Sequence, residues 1–371
     1  MDDWMEQDQN DLEESPRRSA KERKQNRRFR TFTTLALVLA WVLFLICVGL
    51  LIWIRRRDLE TVADQVVYSL EEVDAMVEDA LATEEVKTEE AVRLKEAELL
   101  DGIRESLEEG NSMVDTLRPY YPDWIVLVAD GRYHFVPISD TLEHHSFKEE
   151  QLVVLEDGEL QYQENGEVIS HKGIDVSTFQ GDIDWEKVAA DGVEFAFIRT
   201  VFRGYGSGKL VEDETFEKNI EGAIGAGIKV GVYVFSQAIN EAEIREEANL
   251  VLEKIAPYKI TCPVVFDVEK IAGADGRMNH LTVEERTHLT GLFCETIESA
   301  GYQPMIYHNM EMAALMLDLE QLQDYDKWFA YYNSNFYYPY TYKVWQYSEK
   351  GKVDGISTEV DLDISFAPLW E

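Results

Sequence analysis

Two acidic residues stand two positions apart at the end of a short apolar run, in the order Asp267-Val268-Glu269. The run from Cys262 predicts a buried strand. Because side chains alternate along a strand, both carboxylates leave the same face, about 7 Å apart at their backbones. Repulsion and desolvation should separate their proton affinities, as hydrolysis of a glycosidic bond requires of a proton donor and its partner carboxylate. The alternative is an ordinary strand end whose acids meet a helix N-terminus or a surface lysine.

Strand-like and helix-like segments alternate from residue 173 onwards, which predicts a parallel α/β sheet that is closed or nearly closed. In such barrels the active residues cluster at the C-terminal ends of the strands, where Asp267 and Glu269 stand. The candidate strands are Phe195–Arg199, Lys229–Phe235, Pro263–Glu269, Pro304–Tyr307, Trp328–Tyr331 and Tyr342–Gln346, and the candidate helices are Asp213–Ala226, Glu241–Ala256 and Thr282–Ala300.

Two further acids occupy similar places. Asp175 ends the first strand of this region, and Asp361 stands at the last. First and last strands are neighbours when a barrel closes, so Asp175, Asp267, Glu269 and Asp361 are predicted to face one mouth. Four acids converging on one mouth are costly unless they serve a purpose, which favours a functional site.

The overall composition excludes some partners and leaves others open. The formal net charge is −37, so the protein should repel phosphate backbones, and nucleic acid is not expected as a partner. There are three cysteines, Cys47, Cys262 and Cys294, none of them in a metal-binding spacing, and we expect no metal ion. Cys262 and Cys294 could form a disulfide or remain as two buried thiols.

The N-terminal part predicts a membrane anchor. Residues 35–54 are apolar and uncharged, long enough to cross a bilayer as a helix. Eight basic residues precede them and three arginines follow, which places the basic tail, residues 1–34, in the cytoplasm. The remainder, including the barrel, is then expected outside the cell, in a single-pass protein of the cell membrane.

Two segments separate the anchor from the barrel. Residues 58–116 are rich in acids and contain no proline, with apolar residues spaced by three and four, which predicts an acidic helical stalk capable of self-association as a coiled coil. Pro119 and Pro122 are expected to end this helix. Residues 117–170 alternate short strands with turn pairs and predict a small β-rich module, in which His144 and His145 should lie at the surface.

The barrel region resembles the glycoside hydrolase family 25 lysozymes, the muramidases. The resemblance rests on an ordered set of motifs that spans residues 171–371. These are Gly173-Ile174-Asp175-Val176-Ser177, Gln180-Gly181-Asp182-Ile183-Asp184-Trp185, Phe197-Ile198-Arg199, Asp213-Glu214-Thr215-Phe216, Gly227-Ile228-Lys229-Val230-Gly231-Val232-Tyr233, Asp267-Val268-Glu269, Val344-Trp345-Gln346-Tyr347-Ser348, Gly355-Ile356 and Val360-Asp361-Leu362-Asp363.

The resemblance implies a flattened, TIM-like β/α barrel that cleaves the β-1,4 bond between N-acetylmuramic acid and N-acetylglucosamine in the glycan strands of peptidoglycan. It implies that Glu269 is the general acid and that Asp267 is the second carboxylate, which stabilises the developing charge or orients the acetamido group. Asp175 and Asp361 would line the same cleft. The chemistry needs neither a metal nor a cofactor. Whether water, a carboxylate or the acetamido group attacks the sugar stays open.

The chain departs from the family pattern at two positions. Val234 stands where the family often has a histidine, and Asp363 stands where it usually has asparagine. An extra acid beside Asp361 should raise the proton affinity of that residue. Neither change removes the expected proton donor.

Aromatic side chains are the expected sugar-binding groups, because their faces stack on the C–H bonds of sugar rings. Tyr233, Tyr307 and Trp345 are placed at strand ends, with Gln346 beside them. Arg199 also ends a strand, where it would bind a carboxylate of the substrate or of Asp175, or form a structural ion pair.

The sequence therefore predicts a membrane-tethered peptidoglycan hydrolase. Three alternatives remain open at this point. A barrel of this kind could bind cell-wall glycan without cleaving it, or hydrolyse another acetamido sugar polymer as a chitinase does. It could also be a structural protein of wall assembly.

Overall fold

The computed structural model describes residues 70–370 and, nearer the N-terminus, residues 43, 46–48 and 50. The predicted tail at 1–34 and nearly all of the predicted membrane segment at 35–54 lie outside the described residues. Among the described helices, none is long and apolar enough to cross a bilayer. The chain divides into two compact units, residues 1–96 and 97–371.

A long helix, α1, runs from Leu70 to Glu108. It ends well before Pro119, where the proline pattern had predicted its end. Gly110 follows the end of this helix with a φ of +90°, a value that does not continue a right-handed helix. Glycine adopts this conformation readily, whereas residues with a side chain rarely do. Ser112 then caps a short second helix, α2 (Met113–Leu117), by accepting a hydrogen bond from the backbone N–H of Asp115 at 3.1 Å.

Two small antiparallel sheets follow. A hairpin pairs β1 (Trp124–Ala129) with β2 (Arg132–Pro137) around Asp130 and Gly131, whose positive φ values suit a tight hairpin turn. The second sheet contains β3 (Leu152–Val154), β4 (Leu160–Glu164) and β5 (Glu167–Val168).

Residues 171–365, all of which the structure describes, form an α/β barrel. Its sheet has the order β6-β14-β13-β12-β11-β10-β9-β7-β8, and pairing of β6 with β7 closes eight of these strands into a barrel. The strands are β6 (His171–Val176), β7 (Phe195–Arg203), β8 (Leu210–Glu212), β9 (Lys229–Ser236), β10 (Val264–Val268), β11 (Pro304–Asn309), β12 (Asp326–Ala330), β13 (Val344–Gly351) and β14 (Val360–Ser365). The helices around it are α3 (Trp185–Ala190), α4 (Phe216–Gly225), α5 (Glu241–Ile255) and α6 (Val283–Ser299).

The last strand departs from the predicted parallel arrangement. β14 is antiparallel to both of its neighbours, β13 and β6. Asp361 therefore stands near the start of its strand, which lies at the same barrel end as the C-terminal ends of the parallel strands. In this register Asp361 pairs with Asp175, so the predicted neighbourhood of the first and last strands is confirmed.

The barrel interior is packed with aromatic rings that require small neighbours. Gly173 pairs with Phe195, and Gly231 pairs with Phe197. Both phenylalanines are fully buried, and the Phe197 ring stacks on Trp328 with centroids 4.6 Å apart. The glycines leave the volume that these rings fill below the mouth of the barrel.

Gly173→Ala should lower the free energy of unfolding by about 3 kcal/mol, because the added methyl group overpacks a closed core. Its Cβ would lie 2.1 Å from the Phe195 ring. Urea unfolding of the full chain, followed through the barrel transition, measures the effect. Gly225→Ala is the control, since no atom lies within 4 Å of a Cβ placed there. Equal stability of the two variants would contradict the packing argument.

The two cysteines of the barrel are both free and buried. Cys262 belongs to the interior cluster with Phe195 and Phe197, whereas Cys294 on α6 packs in the cluster between sheet and helices. The two side chains lie on opposite sides of the sheet, so Cys262 and Cys294 are separate thiols and do not form a disulfide.

Candidate active site

A cleft of about 920 Å³ opens at the barrel mouth, where the parallel strands end. All four acids predicted for the site line it: Asp175, Asp267, Glu269 and Asp361. Strand polarity explains the convergence of Asp175, Asp267 and Glu269, because the C-terminal ends of the parallel strands face the same mouth. Asp361 reaches this mouth from the start of the antiparallel strand β14. Tyr233, Tyr307, Gln346 and Arg199 also line the cleft, as the sequence predicted.

Asp267 and Glu269 form the centre of the cleft. Asp267 is the buried fourth residue of β10, and Glu269 follows the strand directly. Burial and then the charge of Glu269 raise the pKa of Asp267 well above its usual value, and burial likewise raises the pKa of Glu269. Asp267 Oδ1 accepts no hydrogen bond from a protein N–H or O–H group. A hydrogen bond between the two carboxyls therefore requires that one of them carries a proton. The pair therefore keeps a proton to higher pH than two ordinary carboxyls would.

A buried glutamine holds the backbone of Glu269. Gln237 donates from Nε2 to the carbonyl oxygen of Glu269 at 3.1 Å, and its Oε1 accepts from the backbone N–H of Met278 at 3.2 Å. Arg277 in turn donates to the carbonyl of Gln237 at 3.2 Å and forms an ion pair with Glu243 at 2.8 Å. Gln237 and the hydrogen bonds it makes with Met278 and Arg277 therefore hold the backbone of Glu269 in place.

A second hydrogen-bond chain orients Asp175. Gln346 donates from Nε2 to Asp175 Oδ2 at 2.6 Å. Its Oε1 accepts from the hydroxyls of Tyr307 at 2.7 Å and Tyr332 at 3.1 Å. Burial, followed by the charges of Asp361 and Asp363, raises the pKa of Asp175 well above the usual range. Gln346 thus connects the aromatic wall of the cleft to this carboxyl.

Asp361 and Asp363 leave the same face of β14. Burial and the charge of Glu349 raise the pKa of Asp361 to about 6. Asp363 is fully buried, accepts a hydrogen bond from Trp328 Nε1 at 2.8 Å, and has no partner for its Oδ2. Burial and the charge of Asp361 raise the pKa of Asp363 well above its usual value.

Asp363→Asn should stabilise the protein at pH 7.5 by about 1–2 kcal/mol, because it removes a carboxyl that resists ionisation where it is buried. Because the pKa of Asp363 is raised in the folded protein, its contribution to stability is fully present below the unfolded pKa of 3.8. That contribution is lost as the pH rises through the folded pKa. The gain should therefore vanish near pH 4. Thermal melts at both pH values measure it, with exposed Asp140→Asn as the control. A variant that is less stable than wild type at pH 7.5 would contradict the assignment.

Arg199 forms a structural ion pair, but not with Asp175. It lies in the middle of β7, which continues to Arg203 through a bulge. Its Nε and Nη2 both lie 2.8 Å from Asp213 Oδ2. Asp213 also accepts from the backbone N–H of Thr178 at 3.0 Å, so this pair anchors the loop after β6 beside the cleft.

Trp345, predicted to bind substrate, is buried and is not among the residues that line the cleft. Alternation along β13 turns Gln346 into the barrel and Trp345 towards the outer core. Its indole Nε1 donates to the carbonyl of Tyr331 at 2.7 Å.

His145, expected at the surface, is half-buried and stacks on Phe147 with centroids 4.9 Å apart.

The cleft has aromatic walls that the sequence did not single out. Phe179 is 75% exposed at the cleft, with the Arg199 guanidinium 5.2 Å from its ring centroid. Tyr332 is 51% exposed and follows β12. An exposed aromatic residue in a loop directly after a barrel strand was the available signal for both.

The arrangement suits acid catalysis on a polar substrate that aromatic rings can stack against. Four carboxyls converge, at least three with strongly raised proton affinity, and aromatic side chains line the same cleft. Among the described residues, no group of three or more His, Cys, Asp or Glu is arranged to hold a metal ion.

A closed barrel with paired carboxyls at its mouth is an architecture of glycoside hydrolases. Residues 174–356 match the model of the glycosyl hydrolases family 25, so this part of the chain is similar to the glycoside hydrolases of that family. The match includes Asp175, Asp267 and Glu269 and ends before Asp361.

Two lysozymes are similar in sequence to this part of the chain. The chain is 27% identical over 193 residues to an autolytic lysozyme of Clostridium acetobutylicum, covering 52% of this chain and 55% of that protein. It is 26% identical over 211 residues to lysozyme M1 of Streptomyces globisporus, covering 51% and 66%. The chain thus spans between half and two thirds of the length of these two relatives. A family 25 glycosyl hydrolase structure from Bacillus anthracis is 25% identical, covers 56% of this chain and 93% of that one, and has a TM-score of 0.46.

Proposed function

We propose that this protein hydrolyses the β-1,4 bond between N-acetylmuramic acid and N-acetylglucosamine in peptidoglycan. The observation that carries the proposal is the Asp267–Glu269 pair at the mouth of the barrel, in which Asp267 is buried, Glu269 is half-buried and both proton affinities are raised. The names of two relatives, both lysozymes, support peptidoglycan as the substrate class.

In the proposed reaction the pair holds one proton before the substrate reacts. Glu269, fixed by Gln237 at the end of β10, delivers this proton to the glycosidic oxygen as the bond to the sugar carbon breaks. Loss of this proton leaves both carboxyls ionised, and they face the positive charge that develops on the sugar ring, with Asp267 as the carboxylate nearest to that charge. Asp175, oriented by Gln346, and Asp361 position the sugar from the opposite wall.

The anomeric form of the product identifies the attacking group. A retained configuration requires a covalent or acetamido-derived intermediate, whereas inversion requires direct attack by water. Proton NMR of the first product, recorded before mutarotation, distinguishes the two.

The proposed location is the outer face of the cell membrane, with the barrel outside. It is supported by the apolar run at 35–54 and its basic flanks alone. Protease treatment of intact cells tests it, since removal of the C-terminal region without lysis is expected. Full protection of that region would contradict the proposal.

Product analysis tests the proposed activity. Purified peptidoglycan is incubated with the full chain, and the new reducing ends are labelled by borohydride reduction and identified by mass spectrometry. We expect reduced N-acetylmuramic acid. Reduced N-acetylglucosamine would assign a different bond, and cleavage of chitin alone would assign a different substrate. Absence of any release would favour a glycan-binding protein.

A further inference from the structure

A second groove of about 510 Å³ lies outside the catalytic cleft, between the β1–β2 hairpin and the loop after β12. We call it the hairpin groove. It is lined by prolines on both sides, by two histidines, His144 and His145, and by four larger aromatic side chains: Tyr121, Trp124, Phe336 and Tyr337. Its volume is within the range of sites that bind small molecules or short polymer segments.

The walls of the hairpin groove are joined by hydrogen bonds across the two segments. The hydroxyl of Tyr337 accepts from the backbone N–H of Val126 at 2.5 Å. The hydroxyl of Tyr340 accepts from the backbone N–H of Ser139 at 2.8 Å, and His145 N–H donates to the carbonyl of Pro339 at 3.1 Å. A groove held in this way is formed before a ligand arrives, so binding orders few groups.

The charge of the hairpin groove differs from that of the rest of the protein. No acidic side chain is among the residues that line it, although the chain carries a net charge of −37. Arg118 is the single lysine or arginine among them, and it is engaged by Asp115 at 2.5 Å and by the Tyr337 ring, 3.6 Å from its centroid. The groove therefore suits a neutral ligand with faces that stack on aromatic rings, as sugar rings have.

Two connections place the hairpin groove beside the catalytic cleft. The loop after β12 contributes Tyr332 to the cleft and Tyr337 to the groove. On the other side, Lys270 follows Glu269 directly and donates to Asp130 in the hairpin turn at 2.6 Å and to Glu311 at 2.7 Å. The hairpin thus contacts the residue that follows Glu269, and its groove shares the loop after β12 with the cleft.

We propose that the hairpin groove binds uncharged acetamido-sugar units of the same glycan strand that the cleft cleaves, at a distance from the bond that breaks. The proposal rests on the proposed function for the identity of the strand. Trp124 provides the main stacking surface, since it is 38% exposed at the edge of the groove. The groove is then a second contact that favours long strands over short fragments.

The test measures binding to peptide-free glycan strands prepared from peptidoglycan, using the full chain with Glu269→Gln so that strands are not consumed. Adding Trp124→Ala should weaken binding about tenfold, as removal of a stacked tryptophan does at other interfaces. Tyr133→Ala is the matched control, because Tyr133 is 50% exposed on the same hairpin but does not line the groove. It should bind as the parent does. Tyr121→Ala serves as a second groove variant if Trp124→Ala lowers the melting temperature.

Equal affinity of the parent and both groove variants would overturn the proposal. So would Trp124-dependent binding of sugar-free stem peptides or of anionic phospholipid vesicles in place of glycan. Failure of the proposed function shows separately, as an absence of new reducing ends with the wild-type protein. Loss of glycan binding in Trp124→Ala would support the groove even in that case.

Discussion

Glu269→Gln is expected to lower kcat on peptidoglycan by at least about 10²-fold, because general acid catalysis contributes that much or more. The amide has nearly the same shape as the carboxyl but cannot donate the proton that the leaving oxygen needs. Gln237 binds the backbone of residue 269 rather than its side chain, so the loop should keep its position. The rate of formation of reducing ends at saturating substrate measures the effect.

Glu284→Gln is the matched control for this experiment, since Glu284 is an exposed residue in the first turn of α6. It should leave the rate unchanged. Turnover by Glu269→Gln at the wild-type rate would remove Glu269 from its proposed role. The pair would then have to deliver its proton from Asp267.

Asp267→Asn is expected to lower kcat by about 10²–10³-fold, the cost of removing one fixed group that stabilises charge in a transition state. The amide keeps the size of the side chain but cannot face the positive sugar with a negative charge. The same change should raise the melting temperature at neutral pH. Asp267 is buried, repels Glu269 and lacks a partner for Oδ1, so its loss relieves the folded state.

The opposite direction of the two effects is the decisive feature of this variant. A protein that loses activity because it unfolds becomes less stable, whereas Asp267→Asn should become more stable. Reducing-end assays and thermal melts on the same preparation measure both quantities, with exposed Asp140→Asn as the control. Loss of activity together with a lower melting temperature would contradict the proposed role of the charge.

The acids of the site could be predicted from the sequence because they depend on strand polarity. An acid at the C-terminal end of an apolar strand in an alternating α/β pattern is expected at the mouth, and Asp175, Asp267 and Glu269 all lie there. Asp361 reached the mouth for a different reason. It starts an antiparallel strand, and the direction of β14 depends on its pairing with β6 and β13.

The partners of the site residues could not be predicted in the same way. Both faces of β13 are buried, so the burial pattern does not distinguish Gln346, which faces the cleft, from Trp345, which faces the outer core. Arg199 forms its ion pair with Asp213, which lies directly after β8. Such choices depend on contacts between segments that are distant in the chain.

The sequence by itself determined the α/β barrel, the family resemblance and the acids at its mouth, because alternation along strands and the polarity of a barrel follow from local pattern. Only the tertiary structure decided which face of each buried strand points inward and which hydrogen bonds orient the acids. It also decided that the hairpin of residues 124–137 contacts Lys270, the residue that follows Glu269. These features depend on long-range packing, in which burial and charge at one segment are set by the side chains of another.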